Sequence, residues 1–261
     1  MLSNIEKIIF IIIAISAFSA SYVTFGKMFK AISVGSQKID WKKALWNFPK
    51  GLKVFISQNT LFKTRPIVGF IHALVAWGFT LYLIVNVVDV LYGFIPDFHF
   101  FPNYFIGKMY RIFVDVFTVL VLVGVFYFLV RRFIFNDKRL IINKPVMISE
   151  EARIGMRNDS LLVGLFILFH VGARFLSASF EIAKNGVDDF QPAATTVSLL
   201  WSNLSSENII LFEHITWWIA LGLILGFLPY FPFSKHAHLF MEPLNYMVKE
   251  ERASMEAIET I

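Results

Sequence analysis

Residues 66–94 read PIVGFIHALVAWGFTLYLIVNVVDVLYGF. A membrane-crossing helix needs ~20 predominantly apolar residues to span ~30 Å of hydrocarbon. This run exceeds that length and opens on a proline, which suits the first turn of a helix. Its only ionisable groups besides tyrosine are His72 and Asp89. The stretch therefore reads as a span, and four more resemble it: Ile8 to Phe25, Phe105 to Val130, Leu161 to Phe180 and Ile209 to Phe233. The expected fold is all-α, an integral membrane five-helix bundle.

Composition agrees. Apolar residues make up 57% and charged residues 16% of the 261, whereas soluble domains sit near half and a quarter. Phe alone contributes 30 residues, which suits lipid-facing and interhelical packing. Cysteine is absent, so the chain supplies no disulfide, no thiolate ligand for an iron–sulfur cluster and no Cys-based zinc site. The net charge of +5 bears on topology rather than on nucleic acid. No internal repeat or low-complexity tract appears. Lys7, a short apolar stretch and Ala17-Phe18-Ser19 loosely fit a cleaved leader. The run continues to Phe25 and ends at Lys27, which favours a first span.

Loop charge sets orientation. Spans one and two are joined through Lys27, Lys30, Lys38, Lys42, Lys43, Lys50, Lys53, Lys63 and Arg65, against Asp40 alone. Spans three and four are joined through Arg131, Arg132, Lys138, Arg139, Lys144, Arg153 and Arg157. Residues 181–208 carry Glu181, Asp188, Asp189 and Glu207 against Lys184. The positive-inside rule then expects the N-terminus outside and the C-terminus cytoplasmic. Trp41, Leu45, Trp46, Val54 and Phe55 alternate with lysines and read as an amphipathic segment on membrane lipid. Residues 1–240 form the expected membrane domain and residues 241–261 a charged cytoplasmic tail, helical from Lys249 and leading toward a soluble partner.

Six histidines follow: His72, His99, His170, His214, His236 and His238. Three of them, His72, His170 and His214, fall inside expected spans, where ionisable side chains are costly and functional by default. Two neutral imidazoles on facing helices can ligate a haem iron. A single buried histidine can equally hydrogen-bond a neighbouring helix. The set is dispersed over helices with no HExxH-type cluster, which favours haem over a bare metal ion.

The stretch Phe231-Pro232-Phe233-Ser234-Lys235-His236-Ala237-His238, followed by Glu242-Pro243-Leu244-Asn245, resembles the close of the last span in the gamma subunit of respiratory nitrate reductase. It resembles still more the haem b membrane domain of heterodisulfide-reductase-type iron–sulfur oxidoreductases. Residues Arg65 to His72 resemble that family's second span. The resemblance implies that His72 and His238 are axial ligands of a cytoplasm-side haem b. The nitrate reductase subunit's second ligand pair maps to Tyr82 and Ala220, so the distal haem held in that way is absent. His170 and His214 are a substitute pair for a second haem, or each bonds a neighbour or a quinone. At ~1.5 Å per residue their levels differ by ~9 Å. His72 lies ~10 Å inside while His238 stands near the interface, a mismatch that a span continuing past Lys235, kinked at Pro232, would relieve.

Lys235 is expected either to meet a haem propionate or to snorkel to the interface. Arg65 and Arg174 are candidates for the same contact, and His236 for a propionate or structural contact. The function implied is that of a cytochrome b-type subunit of a respiratory chain. It passes electrons between menaquinone or ubiquinone and a cytoplasmic iron–sulfur (heterodisulfide-reductase-like) or flavoprotein partner in a bacterial or archaeal cell membrane. Such a chain does not complete a catalytic cycle alone. Quinol oxidation needs proton acceptors, and the ionisable residues near the outer surface are Asp89, His99, Lys108, Arg111 and Asp115, with Arg111 and Asp115 spaced to pair on one helix face. The rivals are a proton-coupled transporter, for which paired broken repeats are missing, and a non-haem membrane anchor for a soluble enzyme.

Overall fold

The computed structural model describes residues 2–34, 40–96, 98–137 and 148–248. Lys38, Lys138, Arg139, Lys144 and the tail from Lys249 lie outside the described residues. Five helices are long and apolar enough to cross a membrane: α1 (Asn4–Ser33), α5 (Pro66–Phe94), α6 (Phe105–Leu129), α7 (Glu150–Asn185) and α9 (Ser206–Phe227). A π-helical turn, Val130–Ile134, extends α6. Among the described residues there is no strand. The chain is a multi-pass membrane protein.

Helix α5 begins at Pro66 as its sequence requires. Helix α7 begins much earlier than the apolar run beginning at Leu161, because Ser149 caps it by accepting the Ala152 amide (3.3 Å). Helix α9 stops at Phe227 and does not continue past Lys235. Pro229 and Pro232 supply no amide hydrogen to extend the ladder. The chain instead makes two tight turns, Phe231–Phe233 and Lys235–Ala237, and restarts as α10 (His238–Val248).

Helix α7 is the hub and packs along α9, α6 and α8 (Pro192–Ser198), while α5 pairs with α6. The main apolar core joins Tyr82 and Val85, Val114 and Val121, Val163, Phe166 and Val171, and Phe227. Gly78 faces Val121 and Gly124 faces Val75, so small residues bring α5 and α6 close in the way membrane helices favour. Helix α1 is peripheral and lays Phe10 and Ala17 on Trp217, Leu221 and Leu225. Many remaining isoleucines and phenylalanines point outward, as lipid-facing side chains do.

Arg111 and Asp115 do not pair. Arg111 Nε meets Asp188 Oδ2 at 2.9 Å. Asp115 is buried and accepts the Ala193 and Ala194 amides (2.7 and 3.0 Å). Those amides open α8 and have no partner within the helix, so the carboxylate serves them better than it would a flexible cation.

Three short helices lie before α5: α2 (Trp41–Trp46), α3 (Phe48–Ser57) and α4 (Asn59–Thr64). Helix α10 folds back onto α3 and α2. Asn47 Nδ2 donates to Met247 O (3.2 Å), and Gly51 lies under Pro243. A Cβ at Gly51 would sit 2.8 Å from Pro243 O, closer than packing allows. Gly51→Leu is therefore expected to cost about 1–3 kcal/mol of overpacking and to loosen α10. Hydrogen–deuterium exchange over residues 238–248 checks this: their amides should exchange faster than in the parent, with the spans unchanged.

Candidate functional site

His72 stands in the second turn of α5, at the end of the bundle that carries the basic loops. Its ring is half-buried beside Phe128, and Nδ1 is buried with no partner. The ring of His238, the first residue of α10, lies 6.2 Å from it between centres and is tilted by 39°. His238 Nδ1–H donates to Lys235 O, which fixes the tautomer and leaves the lone pair on Nε2. Two imidazole nitrogens each about 2 Å from one metal place their ring centres about 6 Å apart. The pair therefore fits the spacing of two ligands on a shared iron, and the depth mismatch read from the sequence disappears. It disappears because the chain turns at the two prolines and brings His238 back against α5.

Asp159 holds that turn. Its Oδ1 accepts from Tyr230 OH (2.6 Å) and its Oδ2 from the Lys235 amide (3.0 Å). The neighbouring carboxylate pushes the Tyr230 hydroxyl up to about 12. Nothing in the sequence reading singled out Asp159. The available signal was an acidic residue two positions after Arg157, on the first turns of a helix that also carries Glu150 and Glu151. Arg65 lies seven residues before His72, hence two turns away on the same face and nearer the basic end. Its side chain is exposed, as is that of Lys235.

Arg174 is not near this pair. It sits at the opposite end of α7, 3.3 Å from Asp89 Oδ2, because a guanidinium in a membrane core needs a counter-charge. His236 packs between Phe79 (4.7 Å) and Phe227 (6.0 Å). It is 8% exposed and neither ring nitrogen has a partner. Burial, with the neighbouring His238 and Lys235, pushes its ring down to about 4, so it stands neutral.

The structure does not bring His170 and His214 together. His170 is 2% exposed, donates Nδ1–H to Ala220 O (2.8 Å), meets Tyr82 at 5.6 Å and stacks on Phe166 at 5.8 Å. Tyr82 in turn bonds Thr118 Oγ1 (2.7 Å). Tyr82 and Ala220, the two positions that the resemblance assigns to a second ligand pair, thus both close on the ring of His170. His214 lies between α9 and α1, where Nδ1 meets Glu6 Oε1 at 3.1 Å and Trp218 Nε1 donates to the same oxygen at 3.1 Å.

Asp89, His99 and Arg111 line one cavity at the end opposite the basic loops, together with Tyr110, Arg174 and Glu181. Its volume of about 200 Å³ is below the ~300–1,000 Å³ of small-molecule pockets, so it suits water better than a whole quinone. Asp115 is taken up by α8, and Lys108 lies over the Phe190 ring (5.3 Å). Among the described residues no three His, Asp or Glu side chains converge as a metal cluster.

Fold and site together define a polytopic helical membrane protein with two imidazoles 6.2 Å apart at its basic end. Comparison with known proteins finds similarity to two oxidoreductases. The chain is 25% identical over 213 residues to the Probable iron-sulfur-binding oxidoreductase FadF of Bacillus subtilis, covering 77% of the chain and 27% of that protein. It is 25% identical over 191 residues to the EtfAB:quinone oxidoreductase of Syntrophomonas wolfei, covering 71% of the chain and 26% of that protein. The chain thus spans about a quarter of the length of these relatives. No protein family's sequence profile matches it, and no solved structure matches it.

Proposed function

We propose that the chain is the haem b-bearing membrane part of a respiratory oxidoreductase. In this reading it links the menaquinone or ubiquinone pool to an iron–sulfur or flavin partner on the cytoplasmic side. The observation that carries the reading is the facing pair His72 and His238, at a separation that one iron would require. The names of the two relatives, one iron–sulfur-binding and one a quinone oxidoreductase, support it. The basic loops and the positive-inside rule support a cytoplasmic position for this end of the bundle.

When bound, haem would supply one-electron chemistry. The chain's residues have the remaining tasks. His72 and His238 would hold the iron; the Lys235 carbonyl would keep His238 in the ligating tautomer, as an acceptor beside a metal ligand does. Asp159 fixes the turn that presents His238. Arg65 and Lys235, both exposed at this end of the bundle, would be the cations available to the group's carboxylates. His170 fills the middle of the bundle, and His214 is engaged with Glu6, so the chain is assigned one haem.

The reduced-minus-oxidised visible spectrum of the purified protein, with a pyridine haemochrome assay, tests this. A b-type α band at one haem per chain is expected. A colourless protein would sink the proposal, and two haems per chain would defeat the single-site version.

A further inference from the structure

Helix α3 touches both histidine-bearing helices. Trp77 Nε1, on α5, donates to Ile56 O at the end of α3 (3.0 Å). Asn47 and Gly51 on the same segment hold α10, whose first residue is His238. Helix α4 continues the link, with Gly69 of α5 lying against the Leu61 backbone. The opposite face of α3 carries Phe48, Leu52 and Ile56 at every fourth position, all exposed. Trp41, Leu45 and Trp46 extend this exposed apolar surface along α2. From residue 41 to residue 65 the sequence holds Lys42, Lys43, Lys50, Lys53, Lys63 and Arg65 and no acidic residue.

An apolar stripe flanked by cations, beside the ends of membrane-crossing helices, is the surface that anionic lipid headgroups cover. We infer that the α2–α3 segment is a docking surface for anionic phospholipid. Its seating on the membrane clamps α10 against α5 and thereby sets the approach of His238 to His72. The importance of that approach rests on the haem reading; the lipid contact and the clamp do not. The physical reason for coupling is that α3 is too short to be stable alone. Its order comes from its contacts with α10 and α5 together with what covers its exposed apolar face, and α10 shares that order through Gly51 and Asn47.

The chain has no cysteine, so introduced cysteines give clean spin-label sites. A label at Leu52→Cys reports seating. A pair at Ile67→Cys and Leu244→Cys, both exposed positions, reports the distance from α5 to α10. The protein is placed in vesicles of phosphatidylcholine alone, or of equal parts phosphatidylcholine and phosphatidylglycerol. With phosphatidylglycerol, collision of the Leu52 label with a water-soluble nickel chelate should fall several-fold, and the Ile67–Leu244 distance distribution should narrow to one peak. The combined variant Lys42→Gln, Lys43→Gln, Lys50→Gln and Lys53→Gln should lose both responses. A Leu52 label equally exposed in both vesicles would overturn the lipid contact. A seated label with an unchanged distance distribution would overturn the clamp. Neither readout needs haem, so a haem-free protein would defeat the proposed function and leave this inference standing.

Discussion

His72→Ala and His238→Ala should each remove the same b-type α band completely, while His170→Ala keeps it. The geometry behind the first two is the 6.2 Å separation of their rings. His236 is the nearest alternative, but its ring is held between Phe79 and Phe227. His170 is bonded to Ala220 O and surrounded by Tyr82 and Phe166, so its loss leaves a cavity and no missing ligand. Imidazole added to either ligand variant should restore part of the band by entering the space left. The measurement is haem per chain by pyridine haemochrome, alongside a thermal unfolding curve to show that each variant is folded. Full haem content in His72→Ala or His238→Ala would defeat the pairing.

The second large effect lies at the other end of the bundle. Arg174→Ala leaves Asp89 without its counter-ion where both side chains are mostly buried (13% and 17% exposed). Removing one partner of a buried pair costs about 3–5 kcal/mol, because the survivor stays desolvated and unneutralised. The double change Asp89→Asn with Arg174→Gln should cost much less than Arg174→Ala alone. Unfolding of detergent-solubilised protein measures both, and the double variant is the decisive comparison. If Arg174→Ala unfolds like the parent, the pair contributes little, and water entering the cavity beside it is doing the neutralising. The haem band should survive in the double variant, since the pair sits at the far end from His72.

Much of this arrangement is already present in local patterns. Runs of apolar residues longer than the hydrocarbon is thick leave few alternatives to spanning helices, and Pro66 marks a helix start by its missing amide hydrogen. The ends of helices were harder to read. Polar residues in the first turns of α7 hide its true beginning at Glu150, since a capped helix can extend into water. Hydropathy runs past the end of α9 at Phe227, because Leu228 to Phe233 is as apolar as the helix before it and apolarity does not register the prolines inside that stretch. Arg111 and Asp115 were spaced to pair, but the orphan amides of α8 and the carboxylate of Asp188 compete for them, and neither competitor is visible in local spacing.

By itself, the sequence determined the helical class, the five spans, the basic character of one end and the few histidines available as ligands. These are properties of composition and period, which depend on neighbours along the chain. Tertiary structure alone decided which histidines meet. His72 and His238 are separated by most of the chain and face each other only because Asp159 ties down a proline-terminated turn and α10 folds onto α3. His170 and His214 are closer in sequence and stay apart, because one is drawn to a backbone carbonyl in the core and the other to Glu6 on a peripheral helix. Contacts of that kind depend on how helices rotate about their axes and pack, which hydrophobic length does not specify.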